Sequence, residues 1–268
     1  MDYLAPLRSE IKLTVITELL EGDKKLSELA QMLDTRPTTI SHILKEFETL
    51  EFLKKSGGLY SLTPLGQVEA KICKATLTGT RVVKKYRDFW LTHDVSGLPD
   101  GSISAIGALN DSTIVASAKL DLYKVHKTFI SDVLSVSTNI KGILPIFHPD
   151  YLTVFKNVLQ RGGQIALIVN SEVLEKSLLC NDVGELLPYM ADQKLRVYLN
   201  EDIRFSLTVT ENCISLGLFN LSGIYDYLSG LLCKTSDGIK WGKHAFYKTY
   251  ANSTEYYWIS NGFKSKNV

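Results

Sequence analysis

Cysteine is scarce and dispersed. The 268-residue chain holds four, Cys73, Cys180, Cys213 and Cys233. No two stand at the close spacing that a zinc site or a dithiol redox motif requires. Buried free thiols in a reducing compartment are the reading this leaves. Long apolar runs are also missing. No stretch approaches the roughly 20 apolar residues of a membrane-spanning helix. The opening MDYLAPLRSE mixes acidic and basic residues and has no apolar core of signal-peptide length. A soluble cytoplasmic protein with no membrane partner is therefore expected. Charge of one sign is lacking as well: 30 Lys+Arg oppose 29 Asp+Glu, for a formal net charge of +1. Any contact with nucleic acid must rest on a local patch, not on the overall field. The five histidines make no i, i+4 metal pair, and there is no phosphate-cradling P-loop and no dinucleotide glycine fingerprint. No catalytic residue, metal ligand or cofactor is assigned.

What is present is enough for a real core. Hydrophobic residues make up 45% of the chain, a normal globular fraction, and the length suits one large or two ordinary domains. The most informative stretch runs from Lys24 to Leu62 and predicts a helix, a sharp turn, a second helix and a short hairpin. Ser27 is placed to cap the first helix, whose Leu26, Leu29, Ala30 and Leu33 share a face. Asp34, Thr35 and Arg36 make the turn, and Pro37 takes a first helical position, where its missing N–H costs nothing. In the second helix Ile40, Ile43, Leu44, Phe47 and Leu50 recur at three- and four-residue steps as a buried stripe. Thr38, Thr39, Ser41, His42 and Lys45 are left outward, all able to hydrogen-bond. A helix with a small polar face at its N-terminal end is what a DNA major groove accepts. The hairpin, Phe52 to Leu62 around Ser56-Gly57-Gly58, carries Lys54 and Lys55, which together with Arg36 are placed to meet phosphate. By physics alone a polar helix face and a basic hairpin are available; a protein-docking subdomain uses the same parts. Glu46, Glu48 and Glu51 toward the helix C-terminus oppose phosphate in any other docking.

Before this stretch, Ser9 to Glu21 reads as a scaffolding helix closed by Gly22. After it, Pro64 to Leu91 reads as two helices broken near Gly79. The first has an apolar face of Val68, Ile72, Cys73 and Leu77. The second has a stripe of Val82, Val83, Tyr86, Phe89 and Trp90, suited either to dimerisation or to packing on its own chain. Glycine, proline and short polar residues in HDVSGLPD, from His93 to Asp100, mark a linker. Ser102 to Leu109 reads as a short helix. Beyond it strands (Thr113–Ala116, Ile140–Phe147, Gln164–Val169, Leu195–Leu199) alternate with helices (Leu120–Val136, Pro149–Gln160, Glu172–Leu179, Val183–Ala191). QIALIV, Gln164 to Val169, has the near-continuous apolarity of a strand buried on both faces. Phe205–Thr210, Cys213–Phe219 and Tyr227–Cys233 predict an antiparallel meander, and Asp237–Tyr250 a final helix. The domain boundaries expected are 1–75, a linker or dimerisation helix over 76–97, and a mixed α/β domain over 98–268. In open α/β sheets ligands favour the carboxyl ends of strands, which singles out His148, Asp150, Asn170 and Ser171 as candidate effector ligands; helix capping is the competing role for Asp150 and Ser171.

The residues LSELAQMLDTRPTTISHILKEFETLEFLKKSGGLYSLTPLG resemble the winged helix-turn-helix of ArsR- and MarR-like regulators. ILPIFHPDYLTVFKNVLQRGGQIALIV and SLGLFNLSGIYDYLSGLLCKTSDGIKWGKHAFYKTY, with Trp241-Gly242 followed by Phe246 and Tyr250, extend the likeness over nearly the whole chain. It is similar there to archaeal, largely methanogen, regulators that join a winged helix to a phospholipase-D-like sensor domain, and to regulators of the TrmB type. The implied fold is an α+β winged domain followed by an α/β domain with a mixed sheet. Phospholipase D chemistry needs a His, any residue, then Lys. His126 is followed directly by Lys127 and His148 by Pro149, so a catalytically inactive binding fold is expected. The resemblance implies a homodimeric regulator of double-stranded DNA that senses a small-molecule effector. A protein-interaction adaptor and a phosphodiesterase-like enzyme are the alternatives.

Overall fold

The first apolar stripe forms a helix whose end is set by glycine. In the computed structural model, which describes residues 6–117, 129–134, 137–148, 150–259 and 262–267, α1 (Glu10–Glu18) tightens into a 3-10 turn over Leu19–Glu21 and stops at Gly22, φ 131°. A side chain is strongly disfavoured at that φ. Then come β1 (Lys24–Lys25), α2 (Leu26–Met32) and α3 (Pro37–Thr49). The hairpin is β2 (Leu53–Ser56) and β3 (Leu59–Leu62), and β1 completes a three-stranded antiparallel sheet in the order β1-β3-β2. Ile40, Ile43, Leu44, Phe47 and Leu50 are all buried, packed with Val15, Ile16, Leu29 and Phe52 in one core. Lys12 Nζ meets the Glu46 carboxylate at 2.7 Å and fastens α1 to α3.

α4 (Pro64–Lys85) runs unbroken through Gly79, and the interruption comes at Tyr86, before α5 (Arg87–Thr92). The expected break at Gly79 is thus displaced. A glycine inside a helix costs only about 1 kcal/mol, which packing of Cys73, Leu77 and Val82 outweighs. The expected apolar face is also corrected. Gly66, Ala70, Cys73, Leu77 and Val82 are buried, whereas Val68 (60% exposed) and Ile72 (49%) face outward. Gly66 decides this rotation: a Cβ there would lie 1.9 Å from the Phe52 carbonyl oxygen, so the helix start can sit directly on the backbone. The chain divides into two units, Met1–Lys84 and Lys85–Val268.

The second unit is a mixed α/β layer structure. Among the described residues its sheet has ten strands. They are β4 (His93–Asp94), β5 (Thr113–Ala116), β6 (Asn139–Leu144), β7 (Gln164–Val169), β8 (Leu195–Leu199), β9 (Phe205–Val209), β10 (Ile214–Asn220), β11 (Ser229–Cys233), β12 (Thr254–Ile259) and β13 (Gly262–Asn267). Their order is β13-β12-β8-β7-β6-β9-β10-β11-β5, with β4 paired to β10. β6, β7 and β8 are parallel and every other pairing is antiparallel. The helices α6 (Asp150–Gln160), α7 (Ser171–Leu178) and α8 (Leu187–Ala191) accompany the parallel strands. Leu152, Phe155, Val158 and Leu159 of α6 pack with Leu144, Ile165, Leu167 and Val197 of those strands.

The other sheet face is covered by α9 (Ser236–Tyr250). Trp241 and Phe246 are buried there, Trp241 Nε1 donates to the Ser102 carbonyl at 2.8 Å, and a Cβ on Gly242 would stand 2.6 Å from Ile214. Trp241-Gly242 is a packing motif. Four expectations need adjustment. Only Ile106–Leu109 of the Ser102–Leu109 segment is helical, as a 3-10 turn, and Asn181–Leu186 is 3-10 ahead of α8. Most of the Leu120–Val136 helix lies outside the described residues; Phe129–Leu134 forms a π-helical turn. And α9 is not last. A strand pair follows, with β12 docked on β8 through Glu255 opposite Tyr198.

Candidate nucleic-acid interface

The entry to α3 is set by local chemistry. Ser27 does not cap α2. Lys25 holds the N-cap, and the Glu28 carboxylate accepts from the Lys25 N–H at 2.6 Å. The turn is closed by Thr35, whose N–H donates to the Ala30 carbonyl at 3.0 Å, while Asp34 takes a left-handed φ of 45°. Arg36 is the N-cap of α3 and its extended backbone leads into Pro37, but no side chain caps this end. Pro37 has no N–H and the Thr39 N–H donates to the Arg36 carbonyl at 3.0 Å, so the Thr38 amide is what this end presents with the positive pole of the helix dipole, which favours an anion.

Around that pole Arg36, Thr38, Thr39, Ser41, His42 and Lys45 are all exposed. Among the described residues none of these six side chains is occupied by a hydrogen bond or an ion pair. These six residues are thus exposed on or at the start of α3, while the other two of the expected set, Lys54 and Lys55, lie apart on the hairpin. The acidic residues that threatened it are partly accounted for: Glu46 is neutralised by Lys12.

The hairpin turns through Gly57 (φ 56°) and Gly58 (φ 85°) with Ser56 opposite Leu59, the mirror-image two-residue turn that demands glycine. Lys54 and Lys55 are exposed but, being adjacent in a strand, point to opposite faces. Lys55 Nζ stands 5.1 Å above the Tyr60 ring. Its pKa is raised, first by the hydrogen bond to Tyr60. The register puts both Lys24 and Lys55 opposite Tyr60, on either side of β3. Lys24 is a cation that sequence reading passed over, because a two-residue strand leaves no periodic signal.

In the second unit, the four candidate effector residues do not form one site. His148 borders an apolar cavity of about 70 Å³ among Leu144, Phe155, Leu167 and Val197. It also lies 3.7 Å from Asp150, which begins α6. Asn170 caps α7: its Oδ1 accepts from the Val173 N–H at 2.8 Å and its amide donates to the Pro145 carbonyl at 3.2 Å. The Ser171 hydroxyl donates to Glu201. Asn170, not Ser171, is therefore the cap, and of the four only His148 lines the cavity.

Two family models match the chain. The N-terminal domain of the methanogenesis regulatory protein FilR1 matches residues 5–79, and its middle domain matches residues 122–252. A curated relative, the methanogenesis regulatory protein FilR1 of Methanothrix harundinacea (strain 6Ac), is 28% identical over 245 residues, 89% of this chain. The chain is homologous to FilR1. It spans about half, 54%, of that relative's length. The first match contains the helix–turn–helix and the hairpin; the second contains β6 through α9 and ends before β12. Among solved structures, TrmBL2, an archaeal chromatin protein, aligns at 11% identity over 91% of this chain and 93% of its own, TM-score 0.42. NucT from Helicobacter pylori aligns at 16% over 52% and 94%, TM-score 0.38. The phospholipase D family member Nuc from Salmonella typhimurium aligns at 8% over 59% and 100%, TM-score 0.39. None of these scores is high enough to transfer an activity.

Proposed function

We propose that this chain is a cytoplasmic, DNA-binding transcriptional regulator, with a winged helix-turn-helix of ArsR/MarR type in Met1–Lys84 and a catalytically inactive, phospholipase-D-like sensor in Lys85–Val268. The observation that carries it is the uncapped N-terminus of α3, ringed by unoccupied Thr38, Thr39, Ser41 and His42. These groups read or brace at base edges, while Arg36, Lys45, Lys54, Lys55 and Lys24 meet phosphates. Homology to a protein named a methanogenesis regulator supports the same class.

A homodimer fits this reading, since one winged unit buries little DNA surface and two-fold operators suit paired recognition helices. The exposed Leu65, Val68 and Ile72 on α4, at i, i+3 and i+7, supply an apolar seam for it. A small-molecule effector in the second unit shifts the equilibrium between two arrangements by binding one of them more tightly. His148, which lines the apolar cavity, is its remaining candidate contact from the original four.

The test is a mobility shift with the DNA upstream of the protein's own gene. A saturable, sequence-dependent shift is expected. In the Lys54→Ala and Lys55→Ala variants, the slope of log affinity against log salt should fall by about 0.9 for each phosphate contact removed, with operator preference kept. Loss of preference with an unchanged slope would exchange the roles of hairpin and helix. No shift with any upstream segment would leave a protein-docking adaptor as the better assignment.

A further inference from the structure

The face of the mixed sheet opposite the apolar cavity carries a second, quite different depression. Alternation along the parallel strands produces it: Leu195 and Val197 point to the cavity side, so Arg196 and Tyr198 point the other way. The register then sets Lys141, Ala166 and Arg196 side by side across β6, β7 and β8. Ala166 is the small floor between two long cations. Lys194 stands at the start of β8, and the C-terminal turns of α9 close one side with Tyr247 and Tyr250. The groove so formed holds about 280 Å³, near the lower bound of small-ligand sites at roughly 300 Å³.

Among the described residues its lining carries three cations and no carboxylate, and Glu255 stands opposite Tyr198 on the neighbouring strand. Among the described residues neither Lys141, Lys194 nor Arg196 has a carboxylate partner, although the chain as a whole is almost neutral. Arg196 is hydrogen-bonded to the Tyr198 phenol; three cations with no carboxylate among them on one concave site favour an anion, and a guanidinium with two ammonium groups matches phosphate in particular. The remaining wall is aromatic. Tyr247 is 52% exposed, with Lys141 Nζ 6.0 Å from its ring centre. Tyr198 meets Tyr250 edge-to-face at 4.8 Å, which fixes the ring behind it. An exposed, braced ring beside a cationic floor is a stacking platform for a planar group. Gln164 and Asn139, at the strand starts, add amides able to pair with the edge of such a group.

We infer that this groove binds a small phosphate-bearing ligand with a planar ring, of the nucleoside monophosphate class: Arg196, Lys141 and Lys194 hold the phosphate, and Tyr247 stacks on the base. This assignment does not depend on DNA binding through α3. It concerns side chains on the second unit only, and a failed mobility shift would leave it untouched.

Isothermal titration of the full chain with AMP, inorganic phosphate and adenosine tests it. AMP should bind with one-to-one stoichiometry, and phosphate and adenosine each more weakly. Arg196→Ala, at an exposed position, and Lys141→Ala, at a half-buried one, should each weaken AMP by about 10- to 100-fold, the equivalent of one charge-assisted hydrogen bond. Ala166→Phe should fill the floor and abolish binding; a thermal melt checks that this variant still folds, and the two cation variants stand without it. Tyr247→Ala should reduce AMP affinity while leaving phosphate affinity unchanged. The Lys54→Ala, Lys55→Ala double variant should bind AMP as the parent does. No heat with AMP, equal affinity for AMP and phosphate, or a loss of AMP binding in the hairpin variant but not in Arg196→Ala would each overturn the assignment.

Discussion

Gly66 illustrates how single positions carry the architecture here. The Thr63 hydroxyl accepts from the Gly66 N–H at 3.0 Å and donates to the Glu51 carbonyl at 2.6 Å, so the helix start is pinned to the turn between α3 and the hairpin. A side chain at 66 would strike backbone, which cannot swing aside. Gly66→Ala should lower stability by about 1–3 kcal/mol, seen as a lower melting temperature of the first unit. The cysteines are a second case. Burial, helped by Glu69, pushes the Cys73 thiol up to about 12, and burial also raises Cys213. These thiols stay protonated at neutral pH and are poor nucleophiles. Iodoacetamide on the folded protein should therefore modify Cys180, which is only half-buried, well before Cys73, Cys213 or Cys233. Peptide mass spectrometry would read the order, and early labelling of Cys73 would contradict its burial.

At the scale of elements, α4 is the helix whose two faces were legible as a period but not as an orientation. The pattern of Val68, Ile72, Cys73 and Leu77 is helical, yet Cys73 and Leu77 turn inward while Val68 and Ile72 turn out. Periodicity gives which residues share a face; it does not say which of two adjacent faces meets the core. If the exposed seam is the dimer contact, Val68→Glu and Ile72→Glu should each weaken self-association by about tenfold or more, since burying such a side chain contributes about 1.5–3 kcal/mol. Sedimentation equilibrium would measure it, and an unchanged dimer would remove α4 from the interface. The β12–β13 pair shows the converse failure. Thr254 to Ile259 is rich in aromatic and β-branched residues, and Asn261-Gly262 is a strong turn signal. Composition and turn chemistry thus both support a strand pair beyond Asp237–Tyr250, the helix expected to be final.

For the whole molecule, acid is the informative variable. Burial works to raise Asp226, but the Ser229 hydroxyl, the Leu228 N–H and His93 outweigh it and hold the carboxyl below its ordinary value. Glu211 behaves alike: burial opposes, and bonds from Thr138 and Asn139 prevail. Groups with depressed folded pKa values stabilise the fold above the ordinary carboxylate range and lose that contribution as pH falls through the folded pKa. Both residues belong to the second unit. Its melting temperature should fall as pH drops below about 4, and Glu211→Gln should flatten that decline. Chain position alone hid both partnerships. His93 and Asp226 are far apart in sequence, yet the imidazole Nε2 lies 3.0 Å from the carboxylate because β4 pairs with β10.

Local and periodic information, then, was sufficient for the helix–turn–helix, the glycine hairpin, the alternation of strands and helices and the polar tip of α3, because each depends on neighbours within a turn or two. Tertiary structure alone decided which face of α4 is buried, that Asn170 and Ser171 are occupied by capping and by Glu201, and that Lys141, Ala166 and Arg196 share a row. Those facts depend on strand register and on packing between distant segments, and register is a property of pairs of strands that no single segment contains.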